Sequence, residues 1–98
     1  GGTPDCIPKI RGKLSIFDWK SSKAVYADYK IQVKAYGLLW EENHPDQPIT
    51  GGYHIVCFNK ESLGFDHWYR DAASLDICTE AWERAVWLHQ NKKLLEQL

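Results

Sequence analysis

One segment constrains the fold more than any other: residues 14–20, which read Leu-Ser-Ile-Phe-Asp-Trp-Lys. Alternate side chains of a β-strand point to the same face, so Leu14 and Ile16 predict an apolar face. Asp18 and Lys20 continue that face. A carboxylate and an ammonium are unusual there, because charge is costly to remove from water. The segment therefore predicts either a functional pair or an exposed ion pair on an edge strand.

A short hairpin is predicted directly before this strand. Residues 5–10 favour a first strand, and Gly12 in the Arg-Gly-Lys connection can adopt the positive φ that tight hairpin turns need. The hairpin would place the arms that carry Asp5 and Asp18 side by side. Both carboxylates would then reach one metal ion.

The rest of the chain predicts a helix, a second hairpin and a closing helix. Asp28 is expected to cap a helix over residues 29–42. Gln32 and Tyr36 lie four apart on one face of that helix. The later elements are strands at residues 52–59 and 65–70 and a helix from residue 74 or 79 to the end. This order, β-β-α-β-β-α, predicts an α/β fold in which helices flank a small mixed sheet.

The predicted arrangement suits hydrolysis of a phosphodiester bond. That reaction needs a divalent cation to offset charge on the phosphoryl oxygens, a source of hydroxide, and a group that holds the nucleophile in line. Mg²⁺ prefers oxygen ligands and keeps several waters. The candidate ligands are the carboxylates of Asp5 and Asp18 and the backbone carbonyl of Trp19. Lys20 points to the same side as Asp18, within reach of a metal-bound water or the scissile phosphate.

These residues resemble the motifs of the PD-(D/E)xK, or restriction-endonuclease-like, nuclease superfamily, and most of all its RecB-type and phage exonuclease-like branch. The resemblance rests on Gly-Gly-Thr-Pro-Asp at the start, the hairpin, Asp-Trp-Lys at residues 18–20 and Gln-x-x-x-Tyr at residues 32–36. The second hairpin and the closing helix also look like those of phage members. The resemblance therefore implies one domain, residues 1–98, with a restriction-endonuclease-like core.

The resemblance implies a role for each residue of the set. Asp5 and Asp18 would bind a catalytic Mg²⁺ or Mn²⁺, and Lys20 would orient or activate the water. Gln32 and Tyr36 would contact metal-bound waters or the DNA backbone near the cut; a surface Gln and a half-buried Tyr are the ordinary alternative. Some relatives hold an iron–sulfur cluster with four cysteines. The three scattered cysteines of this chain cannot supply one, so no cluster is expected.

The chain departs from the superfamily pattern at its start. Members usually have a helix ahead of the first Asp, and no such helix precedes Gly1. The domain is therefore expected to be truncated at its N-terminus. Because the missing helix normally covers one face of the sheet, we expect exposed apolar surface and hence a homodimer or a partner subunit.

Charge is distributed unevenly along the chain. The net charge of −1 disfavours a nucleic-acid partner, yet residues 9–34 contain seven basic residues against two acidic ones. One basic face on an otherwise acidic chain is compatible with binding the DNA backbone, although a solvated surface is the simpler interpretation. Ser21, Ser22 and Lys23 follow Lys20 directly. They are candidates for phosphate contacts, or else a plain solvated loop.

These observations favour a Mg²⁺-dependent deoxyribonuclease in which a metal-activated water cleaves DNA. One alternative is a catalytically incomplete nucleic-acid-binding or assembly module with the same fold. Another is a protein-interaction domain unrelated to nucleic acid. No apolar run approaches the roughly 20 residues that span a bilayer, and no signal pattern opens the chain. A soluble protein in the cytoplasm of a bacterial or phage-infected cell is therefore expected. The motifs do not separate exonuclease from endonuclease action.

Overall fold

The structure is a computed structural model that describes residues 6–98. Its elements in chain order are β1 (Lys9–Ile10), β2 (Lys13–Leu14), β3 (Ile16–Ser21), α1 (Ala27–Asn43), β4 (Tyr53–Asn59), β5 (Gly64–Arg70), a one-turn 3₁₀ helix (Ala73–Leu75) and α2 (Asp76–Glu96). The predicted α/β class is confirmed, except that the second predicted strand is divided into β2 and β3. Asp5, a predicted metal ligand, lies outside the described residues.

The main sheet has three strands in the order β3-β4-β5. β3 runs parallel to β4, with Asp18 opposite Ile55 and Lys20 opposite Cys57. β4 and β5 pair antiparallel, as the predicted second hairpin requires. Parallel neighbours need a crossover connection, and α1 supplies it between β3 and β4. The sheet is therefore mixed, as predicted.

The β1–β2 hairpin forms a separate two-stranded sheet. Gly12 has a φ of 80°, as its place in the turn predicts. Beyond the hairpin, the N–H of Ser15 donates to the carbonyl of Pro8 at 2.9 Å, and that of Ile16 donates to the carbonyl of Gly52 at 3.1 Å. From this point one edge of the strand pairs with β4, while its other edge stays paired with the first arm of the hairpin through Cys6 and Phe17. Because β4 is distant in sequence, local alternation did not predict this second partner.

The core lies between one face of the sheet and α1. Ile16, Val33, Tyr53 and Ile55 are fully buried there, and removal of these side chains from water is the main stabilising contribution. α1 approaches β4 closely at Gly37: a Cβ there would lie 2.7 Å from Cζ of Tyr53. The close approach holds α1 against the sheet face on which Asp18 and Lys20 also lie.

The predicted cap of the first helix is wrong. α1 begins at Ala27, the cap position is Tyr26, and no side chain caps the helix. The carbonyl of Tyr26 instead accepts the N–H groups of Tyr29 and Lys30 at 3.1 and 3.4 Å. Asp28 lies one residue inside the first turn, where its carboxylate still faces the positive end of the helix dipole favourably. Because the backbone of Tyr26 is extended, α1 begins at Ala27, one residue before Asp28.

α2 begins between the two predicted starts, and Cys78 near its start joins the core. Farther along, Trp82 and Ala85 line a cleft against α1. Beyond this cleft the helix continues for more than two turns with Trp87 and Leu94 exposed. No helix within residues 6–98 is both long and apolar enough to cross a membrane.

The face of the main sheet opposite α1, here called the outer face, carries a group of rings. Five of its side chains are in contact through their rings: Phe17, Trp19, His54, His67 and Tyr69. Trp19 is 55% exposed and Tyr69 is 45% exposed. No helix of the described part covers this face. The exposed apolar surface expected from the sequence is therefore present, whereas a dimer or partner subunit stays a prediction.

Candidate active site

Asp18 and Lys20 form a pair on the buried face of β3. Asp18 is 4% exposed, and its Oδ2 lies 3.0 Å from Nζ of Lys20. The same Nζ donates to Oε1 of Gln32 at 2.6 Å. The alternative of an exposed ion pair on an edge strand therefore does not describe this pair. A desolvated carboxylate, ammonium and amide hold each other more strongly than the same groups would in water.

Lys20 also lies against an aromatic ring. Its Nζ is 5.1 Å from the centre of the Tyr29 ring, within the range of a cation–π contact. Tyr29 and Gln32 are three residues apart on α1 and so share a helix face. Asp18 of β3 and two residues of α1, Tyr29 and Gln32, thus define where the ammonium lies. The Lys20 side chain as a whole is 21% exposed.

Cys57 lies opposite Lys20 in the sheet register and is buried. Burial raises the pKa of its thiol, the nearby Asp66 raises it further, and Lys20 partly opposes both. Its Sγ contacts the carbonyl of Ala24 at 3.6 Å. A thiol in this state is protonated and unreactive at neutral pH. We therefore assign Cys57 to the core beneath the site.

Gln32 and Tyr36 lie about one turn apart on α1, and both line the cleft between α1 and α2. The cleft has a volume of about 430 Å³, and Trp82 and Ala85 of α2 form its opposite wall. Tyr36 is buried. The structure therefore brings Asp18, Lys20 and Gln32 together, and it places Tyr36 beside Gln32 on the cleft.

The first predicted ligand, Asp5, lies outside the described residues. Its neighbour Cys6 forms an antiparallel bridge with Phe17. The two N–H···O bonds of the bridge measure 3.2 and 3.0 Å. The predicted hairpin therefore continues at least to Cys6, beside the residue that precedes Asp18. That Asp5 shares the site stays a prediction.

The loop after β3 holds the predicted phosphate-binding residues. The hydroxyl of Ser22 donates to the carbonyl of Ala24 at 2.9 Å, and Nζ of Lys23 lies 3.1 Å from a carboxylate oxygen of Glu61. Both members of that ion pair are largely exposed, so it contributes little to stability. Ser21, Ser22 and Lys23 line a shallow hollow beside β4. That they bind nucleic acid stays a prediction.

Two oxygen groups within residues 6–98 match the ligand chemistry of a hard dication. Asp18 offers a carboxylate and Trp19 offers a backbone carbonyl, which are ligands that Mg²⁺ prefers, with waters completing its shell. Within residues 6–98, no group of three or more His, Cys, Asp or Glu side chains is arranged to hold an ion. Asp18 and the carbonyl of Trp19 would therefore be too few to hold an ion by themselves. A Mg²⁺ or Mn²⁺ ion would need Asp5 or additional water beside them.

Sequence reasoning missed two residues of this site. Tyr29 was assigned only to the start of the helix predicted over residues 29–42, and Trp82 only to the predicted closing helix. The three-residue spacing of Tyr29 and Gln32 could have indicated the first. Nothing local indicates Trp82, because its position on the same cleft as Gln32 depends on how α2 packs against α1.

The fold and the site define a class: a small mixed α/β unit in which a buried Asp-x-Lys strand contacts a glutamine on the next helix. No family model matches the chain. Over 98% of its length, the chain is similar to mitochondrial genome maintenance exonuclease 1. It is 27% identical to that protein of Mus musculus and 26% identical to those of Xenopus tropicalis and Homo sapiens. The chain spans 28–29% of these relatives, less than a third of their length.

Proposed function

We propose that this chain forms the core of a metal-dependent nuclease of the PD-(D/E)xK superfamily that hydrolyses DNA phosphodiester bonds. The observation that carries the proposal is the position of Nζ of Lys20, between Oδ2 of Asp18 and Oε1 of Gln32. The similarity to proteins named as exonucleases supports it independently. A lysine held on a buried strand beside a carboxylate is suited to hydrolytic chemistry at a phosphate.

Each residue would contribute a separate part of the chemistry. Asp18, Asp5 and the carbonyl of Trp19 would hold Mg²⁺ or Mn²⁺. That ion, when bound, supplies Lewis-acid stabilisation of the phosphoryl oxygens. Lys20 places a positive charge and N–H donors at the point where negative charge develops during attack by water. Gln32 accepts one hydrogen bond from Nζ and so determines where the other N–H groups of the ammonium point.

The burial of the pair also contributes to catalysis. A low effective dielectric strengthens the attraction between the ammonium and a developing negative charge. Because the side chains of Asp18, Lys20 and Gln32 are already in position, they need not reorganise during the reaction. Tyr36 would contact the DNA backbone from the cleft wall, and Ser21, Ser22 and Lys23 would contact phosphates from the adjoining loop.

The proposal is tested by cleavage of end-labelled DNA with added Mg²⁺ or Mn²⁺ and with a chelator. We expect cleavage with either metal and none with chelator. Asp18→Asn and Lys20→Met should each lower the rate by about a hundredfold or more, the cost of removing one preorganised electrostatic group. Lys93→Met, which removes an exposed lysine of α2, is the matched control for Lys20→Met.

Two outcomes would contradict the proposal. Cleavage that survives both site variants, or that continues in chelator, would place the activity elsewhere. Binding of DNA without cleavage under any metal condition would instead support the catalytically incomplete module.

Comparison of linear with circular substrates tests exonuclease action, because only the linear form has ends. The relatives are mitochondrial by name, whereas a cytoplasmic location for this chain stays a prediction.

A further inference from the structure

A further concave surface lies on the opposite side of the sheet from Asp18 and Lys20. This cavity, of about 370 Å³, opens between the β1–β2 hairpin and the outer face. Arg11 and Lys13 contribute its basic side chains, and His54 and Tyr69 contribute its rings. The residues that line it in the described part include no carboxylate. The lining thus combines positive charge with flat aromatic surface.

The hairpin that carries the two cations is held in place by backbone bonds. The N–H of Ser15 donates to the carbonyl of Pro8 at 2.9 Å, and that of Gly51 donates to the carbonyl of Leu14 at 2.7 Å. Arg11 has a positive φ of 52° at the turn. Within residues 6–98, neither Arg11 nor Lys13 forms an ion pair. Their charges are therefore available to an anion.

Tyr69 is held at the cavity with its ring partly exposed. The ring lies over Gly52, whose φ of 94° and lack of a side chain make room for it. The Tyr69 and His54 rings are 4.9 Å apart. His54 in turn stacks on Phe17 at 4.7 Å with a 12° angle between the rings. Phe17 contacts Trp19 at 5.9 Å.

These rings form a continuous path across the sheet. Phe17, His54 and Tyr69 are register partners on three adjacent strands, so the path spans roughly 10 Å at the usual strand spacing. It ends at Trp19, whose sequence neighbours Asp18 and Lys20 occupy the other face of the same strand. The path therefore connects the basic cavity to the strand that carries the candidate active site.

We propose that the cavity and this path of rings bind a nucleic-acid segment with unpaired bases. Arg11 and Lys13 would contact its phosphates, and Tyr69, with the rings beyond it, would stack on its bases. Charge complementarity and stacking surface are the two features that sequence-tolerant single-strand binding uses. The proposal rests on the proposed function for its purpose, to hold a strand while another part of it is cleaved, but binding is measurable without cleavage.

The test is fluorescence anisotropy of a labelled oligothymidine of about twelve nucleotides, long enough for one such surface. Chelator is present, so cleavage plays no part. An abasic sugar-phosphate chain of equal length and a duplex are the comparison ligands. We expect the wild-type chain to bind the oligothymidine more tightly than either. Tyr69→Ala should weaken oligothymidine binding about fivefold or more and abasic binding little, because one stacked base is lost.

Cation removal should act differently. Arg11→Ala combined with Lys13→Ala should weaken binding of both single-stranded ligands and reduce the slope of log affinity against log salt by about one or more. Tyr69→Phe keeps the ring and should bind like wild type. Phe65→Ala removes an exposed aromatic side chain of the same strand, outside the cavity, and is the matched control. Thermal melting verifies that each variant is folded.

Wild-type affinity in both Tyr69→Ala and the double variant would overturn the proposal, and so would equal binding of the abasic chain. A wild-type dimer that Tyr69→Ala converts to monomer would also overturn it, because the outer face would then join two copies of the chain. Asp18→Asn separates this proposal from the proposed function. It should abolish cleavage and leave oligothymidine binding intact. A wild-type chain that cleaves DNA without preferring the oligothymidine overturns this proposal alone, and one that binds the oligothymidine without cleaving overturns the proposed function alone.

Discussion

At the residue scale, the position of Lys20 depends on three neighbours. Oδ2 of Asp18 lies 3.0 Å from its Nζ, Oε1 of Gln32 lies 2.6 Å from it, and the Tyr29 ring centre lies 5.1 Å away. An ammonium on a four-carbon stem has several rotamers, and its loss of freedom opposes ordering. The three contacts offset that cost, so Lys20 is oriented before any substrate arrives.

Gln32 is therefore expected to act as a positioning residue. Gln32→Leu removes the acceptor of Nζ and should lower kcat by about tenfold to a hundredfold. A hydrogen bond to a charged group is worth roughly 1.5–3 kcal/mol, and about 1.4 kcal/mol corresponds to tenfold in rate. Steady-state cleavage kinetics measure this effect. KM should change less than kcat, since the contact orients Lys20 and not the substrate.

Two variants distinguish this role from a structural one. Gln32→Glu retains an acceptor oxygen and should restore most of the lost rate. Gln90→Leu, at an exposed position of α2, should leave kcat unchanged. If Gln32→Leu lowers the unfolding midpoint and kcat in proportion, the positioning role is wrong.

At the scale of the elements, the contact between α1 and β4 reverses a usual rule. Alanine at a glycine inside a helix normally stabilises it by roughly 0.5–1 kcal/mol. Gly37→Ala should instead destabilise the chain by about 1–3 kcal/mol, because its Cβ would lie 2.7 Å from Cζ of Tyr53. Urea unfolding monitored by circular dichroism measures the change.

Tyr53 provides the companion variant. Its hydroxyl is buried and has no hydrogen-bond partner within residues 6–98. Burial, and to a lesser extent the charge of Glu41, raise the pKa of that hydroxyl. Removal of an unsatisfied hydroxyl costs little, so Tyr53→Phe alone should be close to neutral. If Gly37→Ala instead raises the free energy of unfolding, α1 can move away from β4 to accommodate the methyl group, and the predicted destabilisation is wrong.

The β4–β5 hairpin is expected to make stability depend on pH. Nδ1 of His54 lies 2.9 Å from Nε2 of His67, which requires one nitrogen to donate and the other to accept. Burial, followed by the charge of His67, lowers the pKa of His54. The unfolded chain therefore binds more protons than the folded chain as pH falls below about 6.5. Stability should be present above that pH and decrease as pH falls through the folded pKa.

His54→Asn tests this dependence. The difference in unfolding free energy between about pH 7.5 and about pH 5.5, roughly one unit either side of the ordinary histidine pKa, should be smaller in the variant than in wild type. Carboxylates contribute equally to both chains and cancel in the comparison. An identical difference in both chains would show that the pair does not link protonation to folding.

At the scale of the whole molecule, the far half of α2 leaves apolar surface uncovered. Trp87 is 55% exposed and Leu94 is 65% exposed, and Leu88 and Leu95 are exposed beside them. Their spacing places all four on one side of the helix. We expect self-association at micromolar concentration through this stripe, since contiguous exposed apolar patches are typical of interfaces.

Sedimentation velocity across a concentration series measures this association. Trp87→Lys combined with Leu94→Glu should give a monomer at every concentration, whereas Lys92→Glu together with Lys93→Glu, on the same turns, should associate as wild type does. A wild-type monomer throughout the series would contradict the prediction. The surface is separate from the outer face, so the oligonucleotide test does not depend on the result.

Much of the site follows from local spacing. Strand alternation predicted that Asp18 and Lys20 lie on the same face of the strand as Ile16. Helical spacing predicted that Gln32 and Tyr36 lie on one face of the helix. The structure bears out both statements. The cap at Asp28 was predicted wrongly, since the extended backbone of Tyr26 determined the first turn. Asp28 has a high propensity for the cap position of a helix. The backbone conformation of the residues before the helix determines which residue occupies that position.

Strand and helix periods are thus what the sequence by itself determined, because they depend on residues only a few positions apart. Tertiary structure alone decided that β3 pairs with β4, that Trp82 lines the same cleft as Gln32, and that the β1–β2 hairpin and Tyr69 line one cavity. Each of these contacts joins segments far apart in sequence, and many pairings satisfy the same local pattern. Burial and hydrogen bonding summed over the whole chain select among those pairings, which is why the candidate active site was visible in the sequence and the ring-lined cavity was not.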